Sequence, residues 1–187
     1  MRTLLLASEV NGLPVVTITG GDDVAEVKDI IYSPEAGRLL GITLNKRGFL
    51  RGRMKEVLPA ESIAAIGPDA VMITDDNCLV SPDQAPEDVG RPASKRNVIG
   101  NDVLTERGAS LGTVTDLVLL GGSRGDVVGY RLDKATGGVG FIPLPAQLAV
   151  SGVALVVPDA TEDFVRDDLV GLGAAVDEYR ARLGMAT

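Results

Sequence analysis

Residues 27–46 read VKDIIYSPEAGRLLGITLNK, and residues 114–134 read VTDLVLLGGSRGDVVGYRLDK. Each stretch runs from Val-x-Asp through an apolar segment to a Pro- or Gly-bearing reversal, then into a strand-like run ending in Lys. Pro and Gly give the chain the backbone angles that a tight reversal needs, so each stretch reads as a β-hairpin. At an offset of 87, Val16 falls on Val103, Gly21 on Gly108, Val24 on Leu111, Val27 on Val114 and Asp29 on Asp116. One added residue in the second reversal moves the offset to 88, where Leu40 meets Val128, Gly41 meets Gly129, Leu44 meets Leu132 and Lys46 meets Lys134. Further on, LPAESI at 58–63 resembles LPAQLA at 144–149. The chain reads as a tandem duplication.

Alternation sets the expected faces. Leu40, Ile42 and Leu44 should share one face of a strand, and Val128, Tyr130 and Leu132 should repeat it. AVMIT and CLV, with Asp75, Asp76 and Asn77 between them, read as another hairpin, and VALVV at 153–157 has the length of a buried strand. Many short strands with Gly-rich turns predict a small barrel or sandwich in each half. Residues 81–96 hold Pro82, Pro86 and Pro92 with charges and no periodicity, and read as a linker. The expected organisation is therefore a first β-barrel at 1–80, this linker, a second barrel at 97–160 and a C-terminal helix at 161–184. A barrel of fewer than 90 residues buries little of its surface, so the two should pack together.

Composition narrows function. The 187 residues carry a net charge of −8, which repels nucleic acid and anionic membrane at long range. No histidine is present, which removes the commonest general base and metal ligand. The lone Cys78 cannot form an internal disulfide, and the apolar run at 4–7 is too short for a signal peptide or a membrane span. The chain is read as cytoplasmic, without a membrane span.

Gly21, Val27, Asp29, an apolar pair, a turn, Gly41 and an alternating strand together resemble the PRC-barrel family, and Gly108, Gly112, Val114, Asp116 and Gly129 repeat the pattern. The family's barrel is shared by the cytoplasmic part of the photosynthetic reaction-centre H subunit and the C-terminal half of a ribosome maturation factor. The resemblance covers most of residues 10–80 and 97–158. It implies a mainly β fold of two small PRC-type barrels in tandem with a C-terminal helix. It also implies a docking module that recruits a protein partner or assembles a complex, with no shared catalytic residues to transfer. Nothing in this chain supports the H-subunit role or the extra domain of the ribosome factor.

Asp29 and Asp116 hold equivalent strand positions, where Asp is disfavoured. They read either as a paired acidic site or, the preferred reading, as acceptors for backbone N–H groups at a bulge. The loop at 45–55, NKRGFLRGRMK, gathers Lys46, Arg47, Arg51, Arg53 and Lys55 around Phe49. It is either a partner-binding surface, extending to RNA or ribosome association as the alternative function, or a solvated loop paired with nearby carboxylates. One aromatic ring is a poor stacking platform, which argues against nucleic acid. The acidic pairs lack calcium-loop spacing, Cys78 has no histidine to activate it, and the glycine clusters lack the helix and Lys of a phosphate loop. Neither metal, cofactor nor enzymatic activity is expected.

In residues 161–184, Val165, Leu169, Leu172, Val176, Tyr179 and Leu183 fall on one helical stripe. Thr161 is placed to cap the helix, and nothing after the first barrel matches the segment. The stripe should dock on the chain's own barrels, with pairing to a second chain or a partner protein as the alternative.

Overall fold

The computed structural model describes residues 3–34, 37–48, 52–86, 89, 98–122, 124–145, 149–151 and 153–182. The chain opens with β1 (Leu4–Leu6) and a single helical turn, α1 (Ala7–Val10). Then come β2 (Pro14–Thr17), β3 (Asp23–Ser33), β4 (Arg38–Asn45), β5 (Arg53–Pro59), β6 (Ile63–Ile66) and β7 (Val71–Ile73). They form a sheet in the order β5-β4-β3-β2-β7-β6. The second half follows with β8 (Asp102–Thr105), β9 (Ser110–Leu120), β10 (Val127–Lys134), β11 (Val139–Pro143), β12 (Ala149–Val150) and β13 (Ala154–Val157). Its order is β11-β10-β9-β8-β13-β12, the same arrangement again. β2 runs parallel to β7 and β8 parallel to β13, while the other neighbours in both orders are antiparallel. The fold is mainly β.

Both sheets curl. β5 and β6 hold opposite edges of the first sheet, yet only the 3₁₀ turn Ala60–Ser62 separates them in sequence. So short a connection brings the two edges together, as barrel curvature requires. β11 and β12 are likewise opposite edges, joined by residues 144–148.

Hydrogen bonds match position by position. Gly12 N–H donates to the Val27 carbonyl and Gly100 N–H to the Val114 carbonyl, both at 2.8 Å. Thr17 Oγ1 accepts from Asp22 N–H, and Thr105 Oγ1 from Ala109 N–H, both at 3.1 Å. The first of these turns is one residue longer, so the offset is 88 through β2, 87 through β3 and 88 again in β4. The counterpart of Val103 is therefore Val15, which pairs with Ala25 and Val71 as Val103 pairs with Gly112 and Leu155. The expected match of Val16 to Val103 is corrected by one residue.

A second correction concerns the faces of the repeated hairpin. Ile31 pairs with Gly41 and Tyr32 with Leu39, so the ladder skips Leu40. It skips Val128 in the same way, between Val118–Gly129 and Leu119–Val127. An extra residue in a ladder shifts the following side chains to the other face. Leu39, Ile42 and Leu44 therefore enter the main core with Val127, Tyr130 and Leu132, while Leu40 and Val128 join clusters on the outer faces. Elsewhere, CLV does not return along β7: Val80 pairs with Val57 instead. VALVV alternates, with Leu155 and Val157 buried and Val153 75% exposed.

The two hairpin tips hold the halves together. Gly37, at φ +61°, turns the β3–β4 connection so closely over Leu144 of the second half that a Cβ would strike its side chain. Gly125, at φ +75°, seats the β9–β10 connection on Ile66 of the first half in the same manner. Such backbone angles favour glycine, and a larger residue at either tip would have to displace the Leu144 or Ile66 side chain. Gly122 N–H adds a hydrogen bond across the joint, donating to the Ile66 carbonyl at 2.9 Å. Beneath the tips, residues of both sheets form one continuous core. β1 reinforces the joint, since it precedes the first sheet in the chain but pairs with β9 of the second, Leu4 opposite Leu120 and Leu6 opposite Val118.

The outer face of each sheet is also covered. On the second, Val118, Val128 and Phe141 pack with Leu172 and Val176 of α2 (Leu169–Arg182). The helix starts at Leu169 rather than 161. Arg166 exchanges backbone hydrogen bonds with Phe141, at 2.7 and 2.9 Å, and so bridges to β11 instead of joining the helix. Asp168 then caps the helix, its Oδ1 accepting from Gly171 N–H at 2.6 Å. Thr161 is buried within a 3₁₀ turn, its hydroxyl 3.3 Å from that of Tyr179. The expected Thr161 cap is corrected accordingly. The segment also has a counterpart after the first barrel: Val80 bridges Val57 as Arg166 bridges Phe141, and Val80, Ala85 and Val89 cover Ile31, Leu40 and Val57.

Candidate interaction surfaces

The repeated aspartates are occupied by backbone donors. Asp29 Oδ1 accepts from Ile30 N–H at 2.9 Å, one residue past the ladder irregularity at Lys28. Asp116 is buried, and its Oδ1 accepts from Leu117 N–H at 2.8 Å and from Ser8 N–H at 3.2 Å. The Ser8 hydroxyl bonds to its other oxygen. α1 therefore ties the N-terminal strand to β9 through the Asp116 side chain. The sequence repeat showed that the Asp positions match, but no local signal linked Ser8 to Asp116 across 108 residues.

The cations at 45–55 separate into different environments. Lys46 N–H donates to the Gly52 carbonyl at 2.8 Å, drawing the loop closed. Arg47 points back to β3, where its Nε donates to both Asp23 oxygens at 2.8 Å and its Nη1 to Glu26 at 3.1 Å. The Asp23 hydrogen bond, aided by Glu26, raises the guanidinium pKa above its ordinary value. Arg53 lies opposite Asn45 on β5, and Lys55 follows two residues later; both are exposed. Phe49 and Arg51 lie outside the described residues. Lys46, Arg53 and Lys55 thus remain at one solvent-facing end of the β4–β5 hairpin.

The helical stripe is used within the chain. Leu172, Val176 and Tyr179 are buried, and Val165 and Leu169 are half-buried against the second half. Tyr179 meets Phe164 edge-on, with centroids 5.1 Å apart. Leu183 lies outside the described residues.

A cleft of about 190 Å³ opens beside the joint, with Leu39, Leu40, Ala60, Pro86 and Val89 along it. Four exposed charged residues of both signs also line it: Arg38 and Glu61 from the first half, Arg124 and Asp126 from the second. Half-buried Cys78 packs elsewhere against the core. Among the described residues no helix is long and apolar enough to cross a membrane, and no group of three His, Cys, Asp or Glu residues is placed to hold a metal.

No curated protein matches the chain. Residues 2–78 match the PRC-barrel domain family, a range that runs from before β1 through the 3₁₀ turn Asp76–Cys78 and takes in every strand of the first sheet. The chain therefore carries a PRC-barrel domain at residues 2–78.

Proposed function

We propose that the protein is a non-enzymatic interaction module made of two PRC-type barrels, a tandem duplication that acts as one body and recruits a protein partner in the cytoplasm. The observation that carries this reading is the joint. Both hairpin tips and a common core are spent on holding one half to the other, which gives a rigid platform whose exposed edges and loops are free for a partner. The repeated aspartates, the best candidates for chemistry, are engaged by backbone and Ser8 donors instead of facing one another across a site.

RNA or ribosome association through the loop at 45–55 is the weaker reading, because Arg47 is committed to Asp23 and Glu26. Lys46, Arg53 and Lys55 are better matched to an acidic stretch of a protein partner. The tagged full chain should capture a protein partner from lysate before and after nuclease treatment, with direct contact established by cross-linking. Replacing Lys46, Arg53 and Lys55 by Glu should weaken that capture without changing Tm. Loss of the captured material on nuclease treatment would favour the RNA reading, and absence of any cross-linked protein would refute the module.

A further inference from the structure

The two hairpin tips face different residues of the opposite half. Pro59 pairs with Gly41 as Pro143 pairs with Gly129, so Ala60 holds in the first half the place that Leu144 holds in the second. The match of 58–63 to 144–149 read from the sequence shifts by two residues here. Leu144 reaches the first tip so closely that a Cβ on Gly37 would strike its side chain. Gly125 is the counterpart of Gly37, and at its tip the corresponding residue offers a methyl group where Leu144 offers an isobutyl group. The cleft of about 190 Å³ lies at this position, lined by Ala60 and by Arg124 and Asp126 on either side of Gly125. Arg38 and Glu61 complete its charged border, so each half supplies one cation and one anion. Among the described residues, none of these four side chains is held in an ion pair.

We propose that this cleft binds a free α-amino acid with a branched aliphatic side chain, of which leucine is the type. The site is additional to the interaction surface proposed above and does not depend on it. The fold itself indicates the side chain, because a leucine, Leu144, fills the corresponding space in the other half. A volume of about 190 Å³ exceeds the roughly 150 Å³ of a cavity that admits benzene. It falls below the roughly 300–1,000 Å³ of drug-sized sites, as a ligand this small requires. The border charges fix the rest of the molecule. Arg38 and Arg124 can hold a carboxylate through paired hydrogen bonds, and Glu61 and Asp126 can accept from an ammonium group. An α-amino acid carries both charges on one carbon beside its side chain, whereas a fatty acid or an amine would leave one sign unanswered. Because Arg124 and Asp126 come from the second half, the site is complete only when the halves are joined.

The test titrates the full chain with L-leucine and follows methyl resonances. Saturable shifts are expected at Leu39 and Ala60, with Val128 and Leu172 unmoved. Isocaproate, which lacks the ammonium group, and isoamylamine, which lacks the carboxylate, should each bind about tenfold or more weakly. Ala60→Leu supplies the isobutyl group from the chain itself, and should abolish the shift at Leu39 and raise Tm. Replacing Arg38 and Arg124 by Ala should remove the advantage of leucine over isoamylamine while leaving Tm unchanged. No saturable shift up to about 10 mM leucine would overturn the proposal. Equal binding of the three compounds, or undiminished leucine binding in Ala60→Leu, would overturn it equally.

Discussion

The hydroxyl of Tyr32 on β3 lies 2.6 Å from that of Tyr130 on β10, in a buried hydrogen bond that joins the first sheet to the second. The rings meet edge-on, with centroids 6.4 Å apart and an interplanar angle of 75°. Each ring adds apolar area to the joint, and each hydroxyl satisfies the other where water is excluded. The pair is the polar centre of an otherwise aliphatic core.

Its protonation links the joint to pH. Burial pushes the Tyr32 pKa up to about 12, partly offset by the hydrogen bond with Tyr130, and burial together with Tyr32 raises that of Tyr130 as well. The folded protein therefore keeps these protons where the unfolded chain, with ordinary values near 10, has released them. Stabilisation is full below about pH 10 and is lost as pH rises through about 12, at up to roughly 1.4 kcal/mol per pH unit for each tyrosine. Urea unfolding from about pH 8 to about pH 11 should show this decline, and the double variant Tyr32→Phe, Tyr130→Phe should flatten it. Either single variant leaves one hydroxyl buried without its partner and should cost about 1–3 kcal/mol at neutral pH. An unchanged alkaline slope in the double variant would remove the pair from this role.

Substitution of the hairpin-tip glycines should act on the joint from both sides. Gly37→Ala and Gly125→Ala each force a side chain into a positive-φ position that already abuts Leu144 or Ile66. A loss of about 1–3 kcal/mol is expected for each. Gly48→Ala supplies the comparison, because its φ is also positive, +89°, while a Cβ there meets open space. Equal losses at all three positions would assign the effect to backbone strain alone.

α2 should behave as a covering element of its own chain. Ending the protein at Asp159 should leave its mass in light scattering monomeric, provided the full chain is monomeric, and should lower Tm sharply. Leu172→Ala, at a position with no solvent exposure, should cost about 2–5 kcal/mol. A dimer that dissociates on truncation would instead assign the stripe to a second chain.

The correspondence between the two halves was the most legible feature of the sequence, because turn glycines and Val-x-Asp recur in them at nearly constant spacing. The faces of β4 and β10 were read incorrectly at Leu40 and Val128, since a ladder irregularity breaks period-two alternation without a distinctive residue to announce it. The Ser8–Asp116 contact and the pairing of β1 with β9 are long-range events that local pattern does not encode. The helix start moved because Arg166 found a backbone partner in Phe141, a tertiary contact that outweighed the cap offered by Thr161. Of the candidate surfaces, the cations at 45–55 were visible as residues, but the engagement of Arg47 by Asp23 and Glu26 required the β3–β4 fold. The cleft was not visible at all, because its walls come from segments far apart in the chain.

Joined through the core and both hairpin tips, the two halves should unfold as one cooperative body, which differential scanning calorimetry of the full chain near neutral pH reads out. One transition is predicted, with the calorimetric enthalpy equal to the van't Hoff enthalpy, because the shared core and both hairpin tips must be lost together. Two resolved transitions, or a calorimetric enthalpy about twice the van't Hoff value, would show that the halves unfold independently and would contradict the claim.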